Sequence, residues 1–229
     1  MDKRIRQHIP NAVTCLNLLS GCVGIIFAFQ GQWVFAAYAM LLSGLFDFFD
    51  GMVARMLNVR SPMGTELDSL ADVISFGFFP GVIYFKLFQA ADPSALYLPY
   101  FGFVITAFSA LRLAKFNLDE RQQTDFIGLN TPMNAFYVLS LPFISSQFPA
   151  LILHPAFLVG SILLTCFLLV SELRLFSMKF TSLSWRENRF RLIFLIVSLI
   201  LILLFKFVAV PLVLVLYIIF SFFHFKIRL

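Results

Sequence analysis

The sequence predicts an all-α integral membrane protein, a polytopic bundle of about eight transmembrane helices. Three observations carry this expectation. Hydrophobic residues fill 60% of the 229 positions, charged residues 13%, and mean hydropathy is +0.91, whereas a soluble domain has about 45–50% apolar and about 25% charged residues. The apolar residues are gathered into runs near the ~20 that a helix needs to cross a bilayer. The cations then fall almost wholly on one side of those runs. This composition excludes disorder. Seventeen Lys+Arg against twelve Asp+Glu, a net charge of +5, fits loops facing anionic lipid better than a nucleic-acid surface, so membrane lipid is the expected partner and nucleic acid is not.

The first run, 11–30, follows Met-Asp-Lys-Arg-Ile-Arg, a start that a secretory leader could share. Asn11, Thr14, Asn17, Ser20 and Gly21 interrupt it and no small-x-small cleavage site precedes Trp33, so a retained helix is expected. Residues 2–9 read as a short interfacial helix before Pro10, or as a solvated tail. Runs at 33–56 and 64–89 are joined by Leu57 to Met63, whose Asn-Val-Arg-Ser-Pro turn forces an antiparallel hairpin. Further runs at 95–116, 132–148 and 155–172 leave polar loops at 117–131 and 173–189, the second with Arg174, Lys179, Arg186 and Arg189 for lipid headgroups. The last pair, 190–205 and 207–225, is separated only by Lys206 and Pro211, so one long re-entrant segment is the alternative.

With the amino terminus in the cytosol, only Lys86 and Lys206 of the seventeen cations fall outside. The positive-inside rule therefore places both termini in the cytosol. The chain reads as one membrane domain, 1–229, without repeats or linkers. Cys15, Cys22 and Cys166 have no metal-binding spacing and are expected as small core residues, while His8, His154 and His224 sit near segment ends in interfacial or solvated roles.

Four acids contradict their surroundings. Asp47 and Asp50 lie in the second run, Asp68 and Asp72 in the third. Each would cost roughly 2.5–3.5 kcal/mol at mid-helix, so four uncompensated approach ~10–14 kcal/mol, comparable with a domain's whole stability of about 5–15 kcal/mol. The i, i+3 and i, i+4 spacings put each pair on one helical face. Across the hairpin, both cross-pairs centre near residue 59, so the four carboxylates meet at two adjacent levels. At ~1.5 Å per residue the cluster lies on the order of 10–20 Å from the loop apex, and it must open to the cytosol. Four charges so placed must be protonated or bound to cations; two divalent ions would cancel them, and all-oxygen ligation favours Mg²⁺ or Mn²⁺, with Ca²⁺ a possible competitor. Gly44, Gly51, Ala54, Gly64, Ala71 and Ser75 leave room for close packing or a flat ligand. Arg55, one turn beyond Gly51, would repel a transported cation but suits a phosphate shared with metals.

Residues 47–72 read D-x2-D-G-x2-A-R-x8-G-x3-D-x3-D, and on this signature the chain resembles the CDP-alcohol phosphatidyltransferase family. The resemblance covers the first six helices, 11–172; the two C-terminal helices, 190–225, are an extension. It implies a membrane enzyme that displaces CMP from a CDP-linked donor with an alcohol, using two metals. Carried over, Asp47, Asp50, Asp68 and Asp72 are implied metal ligands, and Asp72, the one expected to keep a free oxygen, is the implied base. Gly51, Ala54 and Gly64 would flank the cytidine and Arg55 would hold the donor phosphates. The stretch Pro-Asn-x2-Thr-x2-Asn from Pro10 is similar to the family's first-helix nucleotide contacts, so Thr14 and Asn17 are carried over as donor-binding.

Three further blocks resemble the phosphatidylserine synthase branch: Asp68-Ser-Leu-Ala-Asp-Val-Ile-Ser-Phe-Gly with Pro80, Arg112-Leu-Ala-Lys-Phe-Asn117, and Phe126-Ile-Gly-Leu with Pro132. The branch implies CDP-diacylglycerol as donor and L-serine as acceptor, in a bacterial cytoplasmic membrane. The third block departs, with Asn130-Thr131 where the branch often has proline. Arg112 and Lys115, with Asn117, would hold the serine carboxylate or a lipid phosphate, or else snorkel; Asn130, Thr131 and Asn134 would contact the acceptor or cap the fifth helix. A homodimer is the family's usual state. The alternatives are the same chemistry with glycerol-3-phosphate or an inositol phosphate and, from another class, a divalent-cation transporter, against which stand Arg55 and the absence of a polar break in the later helices.

Overall fold

The structure, a computed structural model, describes residues 3–59, 61–119, 121, 125–177 and 185–227. Arg60, Lys179 and Arg228, counted above among the inner cations, lie outside these residues, as do the side chains of Lys3, Arg4, Arg6 and Arg186. The molecule is an all-α membrane bundle. Five described helical runs are long and apolar enough to cross a bilayer: His8–Phe29, Trp33–Met56, Pro62–Ala91, Leu98–Leu118 and Asn188–Lys226.

Helix α1 (Lys3–Phe29) runs unbroken through Pro10, so from Lys3 onward there is no separate interfacial helix. The bond that proline cannot donate is lost in one turn only, and Thr14 Oγ1 donates to the Pro10 carbonyl at 3.1 Å. One face of α1, with Cys15, Leu16, Leu19, Cys22, Val23 and Ile26, points outward. Cys15 and Cys22 are therefore lipid-facing rather than core residues, and only Cys166 is buried. The opposite face carries Thr14, Asn17, Gly21, Gly24 and Ala28. A Cβ on Gly24 would stand 2.7 Å from Phe79 Cζ, and one on Gly21 would run into the Ser75 hydroxyl, so α1 lies close against the third span. Gly31, at φ +71°, turns the chain into α2 (Trp33–Met56).

The acid-bearing hairpin closes through two local devices. Asn58, at φ +51°, ends α2 in the left-handed conformation that asparagine tolerates. Ser61 then accepts a bond from the Gly64 N–H at 3.0 Å, with Pro62 in the first turn of α3 (Pro62–Asp72). A π-helical turn, Val73–Phe78, follows Asp72 directly and leads into α4 (Phe79–Ala91).

A 3-10 turn, Leu98–Phe103, opens α5 (Val104–Leu118). Next come α6 (Thr131–Ser145), the one-turn α7 (Pro149–Ile152) and α8 (Pro155–Val170). At 15 and 16 residues, α6 and α8 are shorter than the spans expected at 132–148 and 155–172. Most of α6 is buried among its neighbours, and a helix sheathed in protein need not match the bilayer's thickness as a lipid-facing one must. Its Tyr137 and the Tyr84 of α4 both meet Ser161 of α8, each at 2.7 Å. Tyr84, Phe76, Phe79, Phe88, Met40 and Leu158 are the large side chains at the centre of this core.

The extension is a hairpin, not one re-entrant segment. Helices α9 (Trp185–Phe205) and α10 (Ala209–Ile227) are separated by a kink at Lys206, where φ is +49°. Phe190 meets His224 and Phe194 meets Tyr217, an antiparallel pairing. His224 is accordingly buried rather than solvated, whereas His154 caps α8 by accepting the Ala156 N–H at 3.3 Å. One feature lay outside the helical reading: β1 (Phe126–Ile127) and β2 (Arg174–Leu175) form an antiparallel ribbon between the two polar loops.

Candidate active site

The hairpin brings its acids together as the spacing predicts. Oxygens of Asp47, Asp50 and Asp68 lie within 4.8 Å of one another, a group that could hold a metal ion. Asp50 is buried, and Asp47 and Asp68 are half-buried. Asp72 is buried beside them, its carboxyl against that of Asp47. Three acids thus form the cluster, and the fourth stands at its edge with different partners.

Those partners come from α1. Thr14 Oγ1 donates to Asp50 Oδ2 at 2.7 Å, and Asn17 Nδ2 donates to Asp72 Oδ1 at 3.2 Å. The two residues read from the sequence as donor contacts therefore hold the carboxylates, one on each helix of the hairpin. Asn17 is itself anchored: its backbone carbonyl accepts from Ser43 Oγ at 2.7 Å and Ser75 Oγ at 3.2 Å. Its own Oδ1 is buried without a hydrogen-bond partner among the described residues. The i, i+3 placement of Asp72 and Ser75 turns both toward α1, and the close approach at Gly21 makes the reach short enough.

The residues expected around a nucleotide line the same hairpin. Gly51, Ala54 and Gly64 are half-buried and Arg55 is exposed. A Cβ on Gly51 would face Arg55 Nη1 at 3.8 Å, and one on Gly64 would press on Asn11 Oδ1 and Ser61 Oγ, each at 3.1 Å. The glycines leave a surface on which a flat group can lie, with a guanidinium over one end.

The acceptor candidates divide. Arg112 is buried on α5, near enough to Asp72 for Coulombic attraction, with its guanidinium carbon 4.9 Å from the Phe116 ring centre and 6.0 Å from that of Phe126. Among the described residues its Nε is without a hydrogen-bond partner, as are Ser109 Oγ, Thr131 Oγ1 and both side-chain polar atoms of Asn134, all buried. A buried polar group left unsatisfied costs about 1–3 kcal/mol, so these groups suit a polar ligand. Lys115 instead pairs with Glu172 at 2.5 Å beyond the end of α8 and holds that carboxyl below its ordinary range. Asn117 Nδ2 donates to Ser69 Oγ at 2.7 Å, and Asn130 Oδ1 accepts the Met133 N–H at 2.9 Å as the cap of α6. Lys115 and Asn117 thus tie α5 to its neighbours, and Asn130 caps its own helix.

Sequence reasoning missed Ser43, whose only signal was a hydroxyl one turn before Asp47 in an apolar run. It also missed Asp125 and Arg191, which form an ion pair at 3.8 Å; no spacing rule links residues so far apart.

The model of the CDP-alcohol phosphatidyltransferase family matches residues 7–170. The CDP-diacylglycerol–serine O-phosphatidyltransferase of Helicobacter pylori strain J99 is 31% identical over 202 residues, covering 83% of this chain and 80% of that protein. The enzyme of the same name from Bacillus subtilis is 34% identical, over 60% of this chain and 76% of its own. Archaetidylserine synthase of Methanothermobacter thermautotrophicus is 34% identical, over 61% of this chain and 60% of its own.

Proposed function

The chain belongs to the CDP-alcohol phosphatidyltransferase family, enzymes that transfer a phosphatidyl group to an alcohol, and from that premise we propose that its donor is CDP-diacylglycerol, its acceptor L-serine, and its products phosphatidylserine and CMP. The observation that carries this reading is the convergence of Asp47, Asp50 and Asp68 within 4.8 Å, beside a fourth acid held by its own amide partner. The serine assignment is supported by the names of the relatives over most of the chain.

The donor set fits a hard cation, since it is all carboxylate oxygen. Asp47, Asp50 and Asp68, with Asp72 at the edge, would hold two divalent ions, Mg²⁺ or Mn²⁺ with Ca²⁺ as competitor. When bound, such a pair neutralises the acids and stabilises charge on the attacking and leaving oxygens. The protein's own groups do the rest. Gly51, Ala54 and Gly64 seat the cytidine, and Arg55 grips the phosphates by charge-assisted bonds. Arg112 takes the serine carboxylate, with Thr131 and Asn134 as further partners. The serine oxygen bonds to the phosphorus bearing the diacylglycerol, the bond from that phosphorus to the CMP oxygen breaks, and the hydroxyl proton passes to Asp72. Asn17 aims Asp72 for that transfer, and Thr14 fixes Asp50.

The six-helix segment is read as the catalytic core and the site as open to the cytosol, with both termini on that side, on the strength of the cation asymmetry. A bacterial cytoplasmic membrane and a homodimer complete the reading; native mass spectrometry in detergent reads the second. The deciding experiment supplies purified protein with CDP-diacylglycerol and each alcohol in turn. Serine-dependent release of CMP is expected. Release with glycerol-3-phosphate or an inositol phosphate, and none with serine, overturns the acceptor assignment.

A further inference from the structure

The family match ends at residue 170, yet α9 and α10 are bonded to the ribbon that lies beside Arg112. A second apolar cluster, distinct from the main core, joins Leu129, Leu175 and Phe176 of the ribbon region to Phe194, Leu214 and Tyr217 of the hairpin. The Tyr217 hydroxyl donates to the Phe176 carbonyl at 2.8 Å, and Ser221 Oγ accepts the Phe176 N–H at 3.3 Å. Helix α10 thus takes both backbone polar groups of the residue that follows β2. Helix α9 reaches the other strand. Arg191, 5% exposed, lies 3.8 Å from Asp125, the residue before β1, and its Nη1 donates to Asn188 Oδ1 at 3.2 Å. Asp125 also accepts the Ser177 N–H at 3.4 Å.

The ribbon these contacts hold is tied to the end of α8 as well. Gly128 N–H donates to the Leu173 carbonyl at 2.8 Å and Leu129 N–H to the Leu168 carbonyl at 2.9 Å. Gly128 has φ +78°, and a Cβ there would stand 2.6 Å from the Leu169 carbonyl oxygen, so the strand lies flat on the helix. Its first residue, Phe126, lies 6.0 Å from the Arg112 guanidinium carbon on the same flank as Phe116, the two ring centres being 6.2 Å apart. The two adjacent rings form one aromatic wall beside the guanidinium, and the attraction of a cation to aromatic faces holds it there.

We propose that the C-terminal hairpin is a latch on the acceptor side of the site: Arg191 and Tyr217 are positioning residues that, through Asp125 and the ribbon, keep Phe126 against Arg112 and the guanidinium aimed at the aspartates. The proposal rests on the reading of Arg112 as the group that holds the acceptor's carboxylate. Arg191 is buried and Asp125 half-buried, so removing Asp125's charge leaves a buried cation uncompensated and removing Arg191 unties the residue before β1; either loss frees the loop and lets Arg112 swing.

The test measures initial rates of the full-length protein in detergent, varying serine and CDP-diacylglycerol separately, for Arg191→Gln, Asp125→Asn and the double variant. Each single variant is expected to raise KM for serine about tenfold, with kcat and the donor KM within about twofold. The double variant should be no worse than the worse single one, because both break one link. Additive losses, an unchanged serine KM, or a fall in kcat alone overturns the latch. Where a single variant does not fold, Phe126→Leu, which spares the ion pair and removes one ring of the wall, must raise the serine KM by itself; an unchanged KM there overturns the proposal too. The wild-type control keeps the two readings apart: without serine-dependent CMP release the serine assignment falls, and the same variants are then scored on the alcohol that does support release.

Discussion

Replacing Asn17 with alanine isolates the contribution of one hydrogen bond to the chemistry. The change deletes the 3.2 Å bond from Nδ2 to Asp72 Oδ1. It spares the bonds that Ser43 and Ser75 make, since these end on the Asn17 backbone carbonyl. A hydrogen bond to a charged group contributes about 1.5–3 kcal/mol, and each ~1.4 kcal/mol is tenfold in rate. If that energy goes into holding Asp72 in position for the transfer, kcat/KM should fall by roughly 10- to 150-fold. The assay is serine-dependent CMP release, paired with calorimetric titration of Mn²⁺ into the same preparation. Metal affinity should change less than turnover, because Asp72 stands at the edge of the group formed by Asp47, Asp50 and Asp68. Activity within twofold of wild type would refute the role given to Asn17. Equal losses of metal binding and turnover would also refute it, by showing that Asn17 acts through the cation site.

Thr14→Val gives the opposite signature, since the 2.7 Å bond it removes ends on Asp50: Mn²⁺ affinity should fall by about tenfold, and titration shows it. Asp72→Asn should fold and keep metal and donor binding better than activity, read by titration and by turnover; unchanged turnover removes Asp72 as the base. Gly21→Ala pushes a methyl into the Ser75 hydroxyl and to 3.0 Å from its Cα, an overpacking expected to cost about 1–3 kcal/mol, seen as a lower unfolding temperature in detergent. Lys115→Ala should leave the serine KM within about twofold, because the ammonium is occupied by the exposed Glu172; a large rise in that KM would return Lys115 to the acceptor site.

The hairpin of acids was legible because two helical spacings and a short turn fix it locally. Once α2 and α3 are antiparallel, the register of Asp47, Asp50, Asp68 and Asp72 has little freedom. The same holds for the spans, whose length and apolarity the bilayer demands whatever their neighbours. Other partners were out of the sequence's reach because they are distant in the chain. That Thr14 and Asn17 hold carboxylates emerges only when α1 is packed against the hairpin, and that Lys115 pairs with Glu172, 57 residues later, only when α5 meets the end of α8. Cys15 and Cys22 look like core residues until the face of α1 that meets lipid is known.

Sequence alone determined that this chain crosses a membrane several times and carries four acids within its apolar runs, because hydropathy and helical periodicity are properties of contiguous residues. Tertiary structure alone decided which hydroxyl and which amide hold which carboxylate, and that the last two helices reach back through Asp125 and Phe126 to Arg112. Hydrogen bonds act over about 3 Å, so partners far apart along the chain are chosen only when packing brings their helices together.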